Sequence, residues 1–206
     1  MALKDDILKV FTDMKAGNYE GDGNDFFCSE LAKIIKNYVA SLKLNASSIM
    51  GSDTSPPGTF MGAVENGKLS ISSSLIKAVL KAACIPTMTD EILATAFSTG
   101  LMADIVTFTC EIKGMTTPSA PPSTPAPAQD SGVVTAVFNG ASILQALKNL
   151  FAKQKQDAGD ESKVKDEDTA STLASEIKKF YTSPTSCVIK GATHLASSTG
   201  NGVISE

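Results

Sequence analysis

One segment of this chain is written three times. Leu173 to Gly191 reads LASEIKKFYTSPTSCVIKG, Leu93 to Gly114 reads LATAFSTGLMADIVTFTCEIKG, and Leu31 to Gly51 reads LAKIIKNYVASLKLNASSIMG. Each opens with a Leu-Ala pair on a helical periodicity, passes into a short run of alternating apolar and polar residues, and stops at an apolar-X-Gly triplet. Upstream, Leu8, Ile76 and Leu144 recur at an even interval of about 68 residues and begin amphipathic stretches. Downstream, Gly67, Gly132 and Gly202 each precede a short β-prone run. The expected fold class is therefore α+β: three tandem helix-helix-strand-loop-strand repeats, with helix pairs packed on short antiparallel hairpins. The units are residues 1–72, 73–140 and 141–206.

Within the first unit, Ile7, Leu8, Phe11 and Met14 form one face of a helix from about Leu3 to Ala16, and Gly17 supplies its stop. Phe27, Leu31, Ile34, Ile35, Tyr38 and Val39 form the stripe of a second helix, capped by Asn24 or Asp25. The period then shortens to two at Leu42, Leu44 and Ala46, which predicts a strand. GSDTSPPG, residues 51–58, is expected to break it, and Lys68 to Ile71 to return. In the second unit a helix stops before Pro86 and the next starts at Thr87 or Thr89. Val106, Phe108, Cys110 and Ile112 then alternate with polar residues as a strand. Residues 115–132, with five prolines, are expected to be a mobile or polyproline-II segment, an enlarged tip loop with an interdomain linker as the alternative. In the third unit the mixed-charge run from Lys153 to Asp168 reads as a solvated extension between helices.

The chemistry of catalysis is sparse. The only histidine, His194, falls in the third tip loop with no Cys or acidic pair at metal-ligand spacing, and reads as a lone surface residue. Asn18, Glu20, Asp22 and Gly23 match the opening of a calcium loop, but the twelfth place is Ser29 where a bidentate Glu is required. No GxGxxG, GxxxxGK[ST] or GxSxG motif occurs, and the acidic residues appear scattered over helix exteriors. No catalytic, cofactor-binding or metal-binding residue is assigned, and the chain reads as a non-enzyme. Four cysteines without a CxxC spacing, Cys28, Cys84, Cys110 and Cys187, read as buried thiols.

A net charge of −4 and 6% aromatic residues without Trp argue against a nucleic-acid partner. The least polar stretch, Ile92 to Phe108, is interrupted by Asp104 and falls short of a membrane span, and the amino terminus lacks a signal peptide's uniform apolar core. The chain reads as made in the cytosol.

Leu31, Ala32, Ile35, Tyr38 and Val39, followed by Gly67, Leu69 and Ser70, resemble a pattern of small tailed-bacteriophage virion proteins. Leu173, Ala174, Ile177 and Phe180, followed by Gly202, Ile204 and Ser205, are similar to it as well. The resemblance covers one unit at a time; the threefold arrangement and the long second tip depart from it. It implies a structural virion component, synthesised in the host cytoplasm, that binds capsid, neck or tail proteins in multiple copies, without cofactor or catalysis. Lone hairpins need strand neighbours, and leftover edges would favour such assembly. The alternative is a free-standing binding or adaptor module that uses the hairpin tips.

Overall fold

A computed structural model describes residues 3–83, 90–103, 108–121, 123–157 and 165–206. Among these, the chain is mixed α/β with six helices and an antiparallel barrel of six strands, the last of them interrupted at Gly202 and so given below as two short strands. The helices are α1 (Leu3–Ala16), α2 (Gly23–Ser41), α3 (Ser74–Ala83), α4 (Asp90–Ala103), α5 (Ala141–Asp157) and α6 (Asp166–Thr182). The strands are β1 (Lys43–Thr54), β2 (Pro57–Lys68), β3 (Phe108–Pro118), β4 (Ala126–Val137), β5 (Ser186–Gly191), β6 (Thr199–Asn201) and β7 (Val203–Ser205). Two helices and a strand hairpin thus follow one another three times along the chain. The contacts separate into two compact units, one holding the helices and the other the strands.

In the helical unit the expected stripes become core: Leu31, Ile35, Tyr38 and Val39 are buried on α2, and Ala174, Ile177, Phe180 and Tyr181 on α6. Each large side chain removed from water in this way contributes about 1.5–3 kcal/mol. The end of α1 follows from Gly17, whose φ of 70° is in the left-handed region. Asn18 N–H donates to Asp13 O at 2.9 Å and Gly17 N–H to Met14 O at 3.2 Å, the paired bonds that close a helix C-terminus. The cap of α2 is Asp22, not Asn24 or Asp25. Its carboxylate accepts from the Asp25 amide at 2.9 Å, because a capping side chain must precede the first turn whose amides it serves. Phe11 on α1 stacks on Phe27 of α2, their ring centroids 6.1 Å apart. Ion pairs link α1 to α6 (Lys4–Glu167, 2.7 Å), α2 to α3 (Lys81–Asp25, 2.6 Å) and α4 to α5 (Lys148–Glu91, 2.6 Å). All are exposed, so they guide pairing more than they stabilise it. The mixed-charge run is partly helix, since α5 continues to Asp157 and α6 begins at Asp166. The expected starts at Thr87 or Thr89, the residues Cys84 and Val106, and the middle of the mixed-charge run, 158–164, lie outside the described residues.

In the strand unit, β1 pairs with β2, β2 with β3, β3 with β4, β4 with β5 and β5 with β6, all antiparallel. The pairings of β6 and β7 with the far side of β1 then close the sheet. The hairpins are longer than expected, and each strand finds the neighbour it needs in this same chain. Two bulges explain why the first hairpin is longer than its periodicity implies. Ala46 pairs with Val64 and Ile49 with Gly62, so β1 carries an extra residue at Ser47–Ser48. The inward set therefore passes from Leu44 and Ala46 to Ile49 and Asp53, and strict alternation is lost in the sequence while the strand continues. A compensating bulge lies in β2 between Val64 and Gly67. Residues 51–58 are accordingly strand except for the turn at Ser55–Pro56, and Lys68 to Ile71 is mostly not strand.

The proline-rich segment 115–132 is likewise corrected. β3 runs to Pro118 and β4 starts at Ala126, with Met115 paired to Pro127 and Thr116 to Ala126. Before Gly132, the β4 register pairs with β3 alone, because the β5 register begins at Gly132–Gly191. A strand with only one neighbour tolerates a residue that lacks an amide proton.

The barrel interior is filled by Leu44, Ile49, Phe60, Val64, Ile112, Val134, Ile189 and Ile204. Gly67 lies opposite Leu44 and Gly132 opposite Cys110, while the Gly202 amide donates to Cys187 O at 2.8 Å. A Cβ on Gly132 would sit 2.7 Å from Cys110 Sγ, and one on Gly202 2.9 Å from Cys187 Sγ, closer than packed atoms approach. Gly100 of α4 is different, since a Cβ there would meet Ile76 Cα at an ordinary 3.5 Å. The same substitution should thus have opposite signs. Gly100→Ala is expected to raise stability by about 1 kcal/mol through helix propensity, and Gly132→Ala to lower it by about 1–3 kcal/mol through overpacking. Urea unfolding of both variants measures this.

Candidate functional site

All three hairpin turns lie at one end of the barrel, where a buried polar cluster joins them. Asp53 of β1 and Asp130 of β4 are only 2% and 7% exposed. The sequence-based expectation that acidic residues sit on helix exteriors fails at these two positions, because the parity of their strands turns them inward. Asp53 accepts from the Ser55 amide at 2.8 Å, from the Thr116 hydroxyl of β3, and from His194 Nδ1 at 2.9 Å. Asp130 accepts from the amides of Ser131 at 2.7 Å, Thr193 at 3.0 Å and Leu195 at 3.0 Å, and from the Thr193 hydroxyl. Burial pushes both carboxyl groups up in pKa. The hydrogen bonds together outweigh it and hold both below the usual carboxylate range.

His194 is therefore not the lone surface residue its sequence context implies. Besides the Asp53 contact, its Nε2 lies 2.8 Å from the Gln129 carbonyl oxygen. Its backbone carbonyl accepts from the Thr54 amide at 3.0 Å. The Asp53 hydrogen bond, followed by that to Gln129, raises the pKa of the ring above its ordinary value. As the imidazolium, with both nitrogens donating to these acceptors, the ring has no lone pair to offer a substrate or a metal. Beside it lies an open cavity of about 750 Å³ lined in part by Glu65, Lys68, Glu111 and Gln129.

The outside of the barrel carries a second feature. Met50 on β1 pairs with Met61 on β2, Met61 with Met115 on β3, and Met115 with Pro127 on β4. The three methionines are 54%, 63% and 45% exposed, so a row of apolar side chains crosses four strands on the outer face. The sequence around it is almost without charge: residues 44–64 contain one ionisable group, the inward Asp53, and residues 114–129 contain none. Phe60, next to Met61 on β2, points the other way and is fully buried.

Cys28 and Cys187 are buried and Cys110 half-buried, all as thiols. Burial, with a smaller contribution from Cys187, pushes the Cys110 thiol up to about 11, and burial also raises Cys187. No group of three His, Cys, Asp or Glu among the described residues is placed to hold a metal ion. The stretch tested as a calcium loop is the α1–α2 connection, where Asp22 serves as cap. No described helix is long and apolar enough to cross a membrane.

Neither the polar cluster nor the methionine row is marked by a sequence motif. Three Gly-X-Asp/Thr triplets, Gly51–Asp53, Gly114–Thr116 and Gly191–Thr193, are the signal that could have located the cluster. The uninterrupted absence of charge over 114–129 is the corresponding signal for the row. Comparison with family models, with curated proteins and with solved structures finds no match.

Two measurements check this geometry. Asp130→Ala leaves the Thr193 donors and the buried Leu195 amide without their acceptor and should cost about 1–3 kcal/mol in thermal or urea unfolding. At pH 8 the Cys110 thiol should remain protonated and resist iodoacetamide in the native protein, with rapid labelling only on unfolding. Peptide mapping at Cys110 reads the difference.

Proposed function

We propose that this chain is a non-enzymatic structural component of a larger assembly, of the tailed-phage virion type, attached through the charge-free part of its outer barrel surface around the methionine row. The observation that carries the reading is the registered row Met50, Met61, Met115 and Pro127, exposed on segments 44–64 and 114–129 that bring no outward charge. Depletion of charge and enrichment in methionine distinguish the centres of protein interfaces from ordinary surface, and methionine adapts its shape to a partner at low cost. The polar groups at the turn end support the same direction, because their hydrogen-bonding capacity is spent on joining hairpins. In this reading capsid, neck or tail proteins are the partners, the protein is present in multiple copies, and its place is the virion.

We further propose that residues 1–72, 73–140 and 141–206 are three copies of one module. The recurring element order supports this, as do the three matched positions Leu44 with Gly67, Cys110 with Gly132, and Cys187 with Gly202. A second reading, an adaptor that takes a small polar ligand at the hairpin tips, is favoured by the open cavity beside His194.

The test is co-purification with intact particles. Wild type should sediment with them, and Met61→Glu, which places a charge at the centre of the row, should weaken retention at least tenfold while leaving the unfolding midpoint nearly unchanged, because residue 61 faces outward. Retention of Met61→Glu equal to wild type would remove the proposed surface. A monomer that ignores particles, but whose tip resonances shift with small polar ligands, would favour the adaptor.

A further inference from the structure

We propose that His194 is a pH-operated latch at the turn end of the barrel, joining the first and second hairpins through the loop of the third. The proposal follows from hydrogen-bond counting. His194 Nδ1 faces the Asp53 carboxylate at 2.9 Å and Nε2 faces the Gln129 carbonyl oxygen at 2.8 Å. A neutral imidazole has one N–H and can serve one of these acceptors; the imidazolium has two and serves both. Asp53 is turned toward the ring by bonds from Ser55 and Thr116, and the Gln129 carbonyl belongs to the backbone of β4, so neither acceptor can become a donor in place. The latched state therefore contains a cation.

The charges around the ring are arranged for it. Asp53 of β1 touches it, and Asp130 of β4 adds a second negative charge nearby. From β2, Glu65 and Lys68 line the same cavity with opposite charges, as does Glu111 of β3, which is itself paired to Lys113 at 2.7 Å. When the proton leaves, the carboxylate, the stronger acceptor, keeps the Nδ1 hydrogen, and Nε2 gives its hydrogen to water. Nε2 and the Gln129 oxygen then face each other with lone pairs. The link to β4 through Gln129 is lost. The bonds of Asp130 to Thr193 and Leu195 and of Thr54 to the His194 carbonyl remain. The change is therefore a local loosening between the 192–198 loop and β4 at Gln129, with the barrel intact.

The direction with pH is fixed. The pKa of His194 is raised on folding, so its contribution to stability is complete below the unfolded value of about 6.5 and disappears as pH rises through the higher folded value. Asp53 sets the acid limit: its pKa is lowered, so its contribution is present above the unfolded carboxylate range and is lost as pH falls through the folded value.

Because the chain has a single histidine, long-range ¹H–¹⁵N correlation NMR of wild-type protein reads this group alone. Both ring nitrogens should show imidazolium shifts at pH 6.5, with a midpoint above the ordinary histidine range. The amide signals of Gln129 and Asp130 should move with the same midpoint. Asp53→Asn should bring that midpoint down, and His194→Gln should flatten the dependence of the unfolding midpoint on pH between 6 and 9. A neutral tautomer at pH 6.5, or a titration that leaves the Gln129 and Asp130 amides unmoved, would overturn the latch. The wild-type titration decides this even where a variant fails to fold, and it is independent of whether the outer surface binds a virion.

Discussion

Closure of the sheet on β1 is the constraint from which the rest of the strand unit follows. β1 is hydrogen-bonded to β2 along one side and to β6 and β7 along the other, so no free edge is left between the first strand of the sequence and the last. A two-stranded hairpin alone is marginal in water, and three of them become stable when each uses its neighbours to satisfy its backbone. Closure also narrows the interior, and a side chain opposite Cys110 or Cys187 would collide with the thiol there, while one opposite Leu44 would be tight. The bulges in β1 and β2 belong to the same solution, because an extra residue bends a strand as a barrel requires.

An enclosed interior makes the placement of Asp53 and Asp130 costly. A buried carboxylate is tolerated only when hydrogen bonds replace its water, and here amides, hydroxyls and an imidazole do so. Those donors come from β3, β4, the first hairpin turn and the 192–198 loop, so the acids act as cross-links as well as charges. The result is directional order at one end of the barrel, whereas apolar packing of Ile49, Ile112 and Val134 alone would be indifferent to small rotations between hairpins.

Much of this was legible in the amino-acid order, and the failures have physical causes. The helix stripes through Leu31 and Leu173 and the stop at Gly17 depend on local periodicity and local backbone preference, and they are where they were expected. The reach of β1 past Ser47 was hidden because a bulge reverses the alternation. The strands inside 115–132 were hidden because proline composition reports on an isolated chain, while pairing to β3 is a tertiary gain. His194 looked solitary because its partners, Asp53 and Gln129, are far away in sequence. The methionine row is invisible in one dimension for the same reason: Met50, Met61 and Met115 become neighbours only through strand register.

The absence of outward charge around the methionine row has a kinetic side. Long-range attraction between charged patches is what lifts association above about 10⁵–10⁶ M⁻¹s⁻¹, and a surface formed by residues such as Met50, Met61, Thr117 and Pro127 has none to offer. Contact made there is slow to form, barely sensitive to ionic strength, and long-lived if the fit is good. Such properties suit a part that is installed once and seldom exchanged.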